Sequence, residues 1–243
     1  MPEGRSAPCG ALIAVIAAED VGDDEIDAFP GDVDVPAAEE GAASALFEQG
    51  RAPLDALAAV LGAAIDQLAP ERVHRVGHSL DGRLALRLAA GIGERTASLA
   101  LIAPDRPGPE VNADFVEQFI TAGRRKPMKA ALQMLVADKD AIGPDMVERT
   151  LSYKRIDGVP GALRAIVDAS LLNGRATEGA SADLAAITAP VLVLRGAADE
   201  ELPPVPTARS VETRVLPGIG HMPQMEASGE VTAALAGHIE TSE

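Results

Sequence analysis

The chain has no tryptophan, one tyrosine and four phenylalanines, although 47% of its 243 residues are hydrophobic. Its core must therefore be filled by Ala, Val, Leu and Ile, small side chains rather than a few large aromatic anchors. Cysteine is nearly missing too: Cys9 stands alone, which excludes an internal disulfide. Basic residues are outnumbered 37 to 21 by acids, for a net charge of −16. With no basic patch to offset it, that charge opposes nucleic acid and anionic lipid as partners. The four histidines, at 74, 78, 221 and 238, form no cluster with metal-ligand spacing, so neither a metal nor another cofactor is expected. No apolar run approaches the roughly 20 residues of a membrane span. The run at 9–18, which follows Arg5, reads as a buried strand, because Glu3 and one arginine make a poor charged region for a signal peptide. A cytoplasmic protein is expected.

What is present is a rhythm. Short apolar runs bounded by Gly, Pro and charge occur at 11–16, 73–76, 98–103, 190–194 and, more weakly, 213–216. Such runs suit strands buried on both faces of a parallel sheet. Between them lie helical patterns: Leu54, Leu57, Ala58, Leu61, Ile65 and Leu68 recur at spacings of three and four, and 80–90 repeats the pattern. Alternating strands and helices predict an α/β fold with a doubly wound, mostly parallel sheet. The segment 105–183 breaks the rhythm, with helices expected at 112–122, 129–136, 144–154 and after Pro160, and reads as a helical cap inserted into a single 243-residue domain.

The stretch VGHSLDG at 76–82 comes close to the G-x-S-x-G nucleophile elbow, with Asp81 where the second glycine belongs. A serine hydroxyl attacks only when a base takes its proton, and the base needs an acid to fix its tautomer. Both types follow in the order Ser, Asp, His. Asp199 comes just after the strand at 190–194, and His221 sits in a glycine-rich loop after the strand ending at 216. In a parallel sheet these strand ends converge on the edge that carries Ser79.

The chain resembles the α/β-hydrolase family, and within it the C-terminal hydrolase-like domain of the dihydrolipoyl acetyltransferase component of acetoin dehydrogenase. The resemblance rests on VHRVGHSLDGRLALRLAA at 73–90, LIAPDRPGPEVNADFVEQFI at 101–120, MVERTLSYKRIDGV at 146–159, PVLVLRGAAD at 190–199 and GIGHMPQMEA at 218–227. It implies an α/β-hydrolase fold with Ser79 as nucleophile, His221 as general base and Asp199 as the acid orienting it. The backbone N–H of Leu80 would be one oxyanion donor, and that of Ala17, in the turn after the first strand, the other. Asp105 is an alternative acid, because some α/β-hydrolases use the end of that strand. His78 is expected to be a structural neighbour of the elbow, and His74 and His238 a strand and a helix residue without chemistry. Phe115, Phe119, Leu132, Leu135 and Tyr153 are candidates to line an acyl pocket under the cap, or to be ordinary helix-packing residues.

The departures from the family gather on the oxyanion side. Asp81 adds a carboxylate beside the candidate nucleophile, Ala17-Ala18-Glu19-Asp20 replaces the usual His-Gly-type turn, and acids occupy the loop at 32–41. An anion there opposes the charge that develops on a substrate oxygen. No lipoyl domain is expected, and Asp138-Lys139 reads as a solvated charge pair in a cap helix rather than a lipoyl-lysine site. Two functions follow: a serine hydrolase or acyltransferase acting on a small ester or thioester, or an impaired pseudo-hydrolase serving as a binding or assembly module.

Overall fold

The computed structural model of the chain describes residues 53–68, 71–91, 95–104, 113–170, 180–199 and 211–242. The chain divides into two compact units, Met1–Glu71 and Arg72–Glu243. In the first unit the described element is helix α1 (Pro53–Leu68), which has Asp55 in its first turn, where a negative charge suits the helix dipole. Its half-buried positions include Leu57, Ala58, Leu61 and Ile65, the expected apolar stripe, while Ala59, Ala63 and Asp66 are exposed. The strand expected at 11–16 lies outside the described residues.

In the second unit, β1 (Val73–His78), α2 (Leu80–Gly91) and β2 (Thr96–Ile102) come first. Helices α3 (Ala113–Thr121), α4 (Arg125–Gln133), α5 (Pro144–Lys154), α6 (Val159–Ser170) and α7 (Ala180–Ala186) follow. The unit closes with β3 (Val191–Gly196), β4 (Val211–Leu216), the short α8 (Pro223–Glu226) and α9 (Ser228–Glu240). The four strands form one sheet in the order β1-β2-β3-β4, every pair parallel.

Period-two alternation sorts the side chains of the central strands onto two faces. Leu99, Leu101, Val191 and Val193 pack against Ala85, Leu86 and Ala89 of α2, with Ile187 and Ala189 beyond α7. Ala100, Ile102, Leu192 and Leu194 pack on the other face with Leu216 and with Val231 and Ala234 of α9. Helices thus cover both faces, as the doubly wound reading requires. Each fully buried Leu or Val contributes about 1.5–3 kcal/mol relative to exposure, so β2 and β3 anchor the unit.

The cap helices have a core of their own. Ala122, Met128, Leu132, Val136, Ile142, Val147 and Leu151 are buried together, and Phe119, Leu135, Met222 and Met225 pack against them. The helix expected at 129–136 instead spans Arg125–Gln133. The earlier start places Pro127 in the first turn, where its missing N–H has no helical partner to lose. Beyond Gln133, Lys139 Nζ donates to the Gln133 and Val136 carbonyls and closes the helix end. Lys139 remains exposed, with its ammonium held by these two carbonyls. It lies in a 3-10 turn, Lys139–Ala141, whose N-cap Asp138 accepts from the Asp140 N–H.

Candidate functional site

Ser79 stands between the last residue of β1 and the first of α2, with a φ of 52°. Such a left-handed conformation costs an L-residue about 1–2 kcal/mol. It is held by two backbone bonds: the Ser79 N–H donates to the Ile102 carbonyl and the Gly82 N–H to the Ser79 carbonyl, both at 3.0 Å. The turn is so tight that a Cβ at Gly77 would lie 2.4 Å from the Asp81 carbonyl oxygen. The first glycine of the elbow is therefore obligatory for steric reasons. Residue 81 is not the crowded position: Asp81 is solvent-exposed, and the second close approach falls on Gly82, whose Cβ would meet Pro104 at 3.2 Å. This explains how the fold accepts an acid where the pattern asks for glycine.

Three loops meet over this turn. The first, after β3, carries Asp199; the second, after β4, carries His221; the third joins α4 to the 3-10 turn of the cap. The Ala197 and Ala198 N–H groups donate to the Leu216 and Ile219 carbonyls at 2.8 and 2.9 Å, lacing the first two together. A Cβ at Gly196 would sit 2.0 Å from the Ile219 oxygen, so only glycine lets the histidine loop cross there. The His221 N–H then donates to the Leu135 carbonyl of the cap at 2.8 Å.

Within this frame, His221 Nδ1 lies 3.0 Å from Asp199 Oδ2, and His221 Nε2 lies 2.9 Å from Ser79 Oγ. The Asp199 side chain has no exposed area and that of His221 is 7% exposed. A carboxylate only accepts hydrogen bonds, so Nδ1 carries the proton and Nε2 is left to accept from the serine hydroxyl. Ser79, Asp199 and His221, read from the sequence, are thus brought into one hydrogen-bonded line. Leu80 opens α2, so its N–H is among those a helix leaves without an internal partner. Ala17 and Asp105 lie outside the described residues.

His78 adds a second imidazole. Its Nε2–H donates to the His221 carbonyl at 2.8 Å, and the two rings stand 5.2 Å apart. Burial pushes its pKa below the usual value, against the opposing pull of that carbonyl acceptor. Asp81, although it keeps solvent access, has its pKa raised by dehydration from neighbouring protein, with His78 pulling the other way. Of the remaining histidines, His74 lies in β1, where its Nδ1 meets Ser98 Oγ at 2.9 Å, and His238 lies in α9, where its Nε2 donates to the Leu99 carbonyl at 3.2 Å.

The pocket candidates sit mainly in the cap's own core. Leu132 is buried there, Phe119 and Leu135 pack against it, and the Phe115 and Phe119 rings lie 5.7 Å apart. Tyr153 is 42% exposed. The Leu135 carbonyl accepts the His221 N–H. A groove of about 400 Å³ between Pro190, Val211, Glu212 and His238 lies at the other ends of β3 and β4 and holds none of the three aligned residues. Among the described residues no group of His, Cys, Asp and Glu could hold a metal ion, and no helix is long and apolar enough to cross a membrane.

Sequence reasoning missed Glu226. Its Oε2 accepts the Gly220 N–H at 2.8 Å, and its Oε1 accepts those of Ala137 and Asp138 at 2.8 and 3.1 Å. One carboxylate therefore ties the histidine loop to the cap loop. The available signal was position: an acid five residues past His221, at the end of a helix started by Pro223.

Residues 19–235 match the model of the alpha/beta hydrolase family. The chain belongs to the α/β-hydrolase family. Among curated proteins it is 33% identical over 178 residues to the dihydrolipoyllysine-residue acetyltransferase component of the acetoin cleaving system of Cupriavidus necator, covering 72% of this chain and 48% of that one. The component of the same name from Pseudomonas putida is 34% identical over 185 residues, 74% of this chain and 49% of its own length. This α/β-hydrolase chain thus spans about half the length of the curated relatives it matches. A solved 2-hydroxy-6-oxo-6-phenylhexa-2,4-dienoate hydrolase from Rhodococcus shares the fold, with a TM-score of 0.66, 20% identity, and coverage of 77% of this chain and 71% of that one.

Proposed function

We propose that the chain is a serine hydrolase or acyltransferase that acts on a small ester or thioester through an acyl-enzyme on Ser79. The observation that carries this reading is the line Ser79 Oγ to His221 Nε2 at 2.9 Å and His221 Nδ1 to Asp199 Oδ2 at 3.0 Å. His221 takes the serine proton as Oγ attacks the acyl carbonyl, and Asp199 holds the imidazolium that forms. The Leu80 N–H, at the positive end of α2, faces the negative charge on the tetrahedral oxygen. As the intermediate collapses, His221 returns the proton to the departing alcohol or thiol. Water, or an acceptor thiol or alcohol, then gives up a proton to His221 and releases the acyl group. The two curated relatives are named as acetyltransferase components, which supports acyl transfer beside hydrolysis.

A second reading, an impaired hydrolase that binds rather than turns over, is favoured by Asp81. Its carboxylate lies in the first turn of α2, one residue past the candidate oxyanion donor. Labelling with a fluorophosphonate probe separates the two. The enzyme reading expects wild type to label and Ser79→Ala to stay silent. A silent wild type with a reactive Asp81→Gly variant overturns it in favour of the binding module.

A further inference from the structure

We infer that β4 is a self-association edge, and that its partner is β4 of a second copy of this chain, paired antiparallel about a two-fold axis through Thr213. In the order β1-β2-β3-β4 the outer side of β4 has no strand partner among the described residues. Glu212, Thr213, Arg214 and Val215 are all exposed, and Val215 retains 53% of its area. Consecutive residues point to opposite faces of a strand, so exposure of all four means that neither face is covered there. That contrasts with β2, which is buried at every position.

The sequence of β4 is self-complementary. Read as Val211-Glu212-Thr213-Arg214-Val215, it has the same class of residue at equal distances from Thr213, except that the two charges are opposite in sign. Antiparallel pairing centred on Thr213 sets each Glu212 against the second copy's Arg214, each Val211 against its Val215, and Thr213 against itself. Within one copy Arg214 Nε already meets Glu212 Oε1 at 2.7 Å on the exposed surface. Joining two such pairs head to tail makes a neutral four-charge cluster on one face and an apolar row of Val211 and Val215 on the other. A parallel partner in the same register would instead oppose like charges, which is unfavourable. The two-fold arrangement is the closed, isologous kind that dominates among oligomers. The pairing also blunts an edge that would otherwise template open-ended association.

Five residues of paired strand from each copy bury less than the roughly 1,200 Å² of a stable interface, so the dimer is expected to be weak and concentration-dependent. Sedimentation velocity of the full chain from 5 to 500 μM tests this. Wild type is expected to pass from monomer to dimer within that range. Glu212→Arg and Arg214→Glu each set like charges across the axis and are expected to weaken the dimer at least about tenfold, two symmetry-related pairs being lost at once. An equimolar mixture of the two variants is expected to dimerise again, because their edges are complementary. That recovery also shows that neither variant has simply misfolded. A monomer throughout the range overturns the inference, as does a dimer indifferent to both reversals, which would use another face.

Discussion

Glu226 Oε2 lies 2.8 Å from the backbone nitrogen of Gly220, the residue before His221. The same carboxylate holds Ala137 and Asp138 of the cap, so the histidine's backbone position depends on an acid that never touches the serine. Hydrogen bonds to a charged group contribute about 1.5–3 kcal/mol each, and a displacement of 1 Å at a reacting pair slows chemistry about a hundredfold. Glu226→Ala is therefore expected to lower the fluorophosphonate labelling rate by about a hundredfold at a pH where it remains folded. Glu226→Gln should fall between, since its amide presents one accepting oxygen and one donor to three donors. If both variants melt earlier but label at the wild-type rate, Glu226 only supports the fold.

Gly77 tests the tight turn independently of chemistry. An alanine Cβ 2.4 Å from the Asp81 oxygen cannot be absorbed by a side-chain rotation, because the Cβ position is fixed by the backbone and the oxygen it meets is backbone. Gly77→Ala is expected to lose about 3 kcal/mol, the upper end of the overpacking range, by urea denaturation. Gly91→Ala, with nothing within 4 Å of its Cβ, serves as the control and should be neutral or slightly stabilising.

The legible parts of this molecule were those where one element carries one message. β2 is buried on both faces, so its sequence from Leu99 to Ile102 is an uninterrupted apolar run, and β3 behaves alike from Val191 to Leu194. That Ser79, Asp199 and His221 come together was legible because each follows a strand in the right order, and parallel topology brings those ends to one edge. The less legible parts depend on contacts between segments far apart in sequence. Glu226 resembles any half-exposed helical acid; its role exists only because the histidine and cap loops converge on it. At the elbow the sequence pattern names residue 81, but the steric limit falls on Gly77 and Gly82, so the fold accepts Asp81.

His78 and His238 make stability fall on acidification, whereas Asp81, its pKa raised by desolvation, acts in the opposite sense. Burial is the leading cause that lowers both pKa values in the folded chain, so the unfolded chain binds these protons first on acidification. Stability is therefore full above the unfolded value of about 6.5 and declines as pH falls through it toward the lowered folded values. Urea midpoints measured from pH 7.5 to 5.0 should decrease. His78→Gln, which keeps an N–H for the His221 carbonyl but cannot titrate, should show a shallower decrease. An unchanged slope would mean that His78 does not contribute to it.

Ser79 is held at a φ of 52°, and that strain can be separated from the loss of its hydroxyl. Ser79→Ala and Ser79→Gly both remove the bond to His221 Nε2, so the difference between them reports the backbone alone. Glycine escapes a left-handed penalty of about 1–2 kcal/mol but makes the unfolded chain more flexible, which costs about 0.4–1 kcal/mol. Ser79→Gly is expected to be the more stable of the two by roughly 0.5–1 kcal/mol in urea denaturation. Both should be inert to the probe. Equal stability would mean that the turn relaxes when the hydroxyl is gone, and that its conformation is imposed by the hydrogen bond to His221. A more stable glycine variant would mean instead that the strand-to-helix turn itself holds the strain, with the rest of the sheet supplying the free energy that keeps the hydroxyl in place.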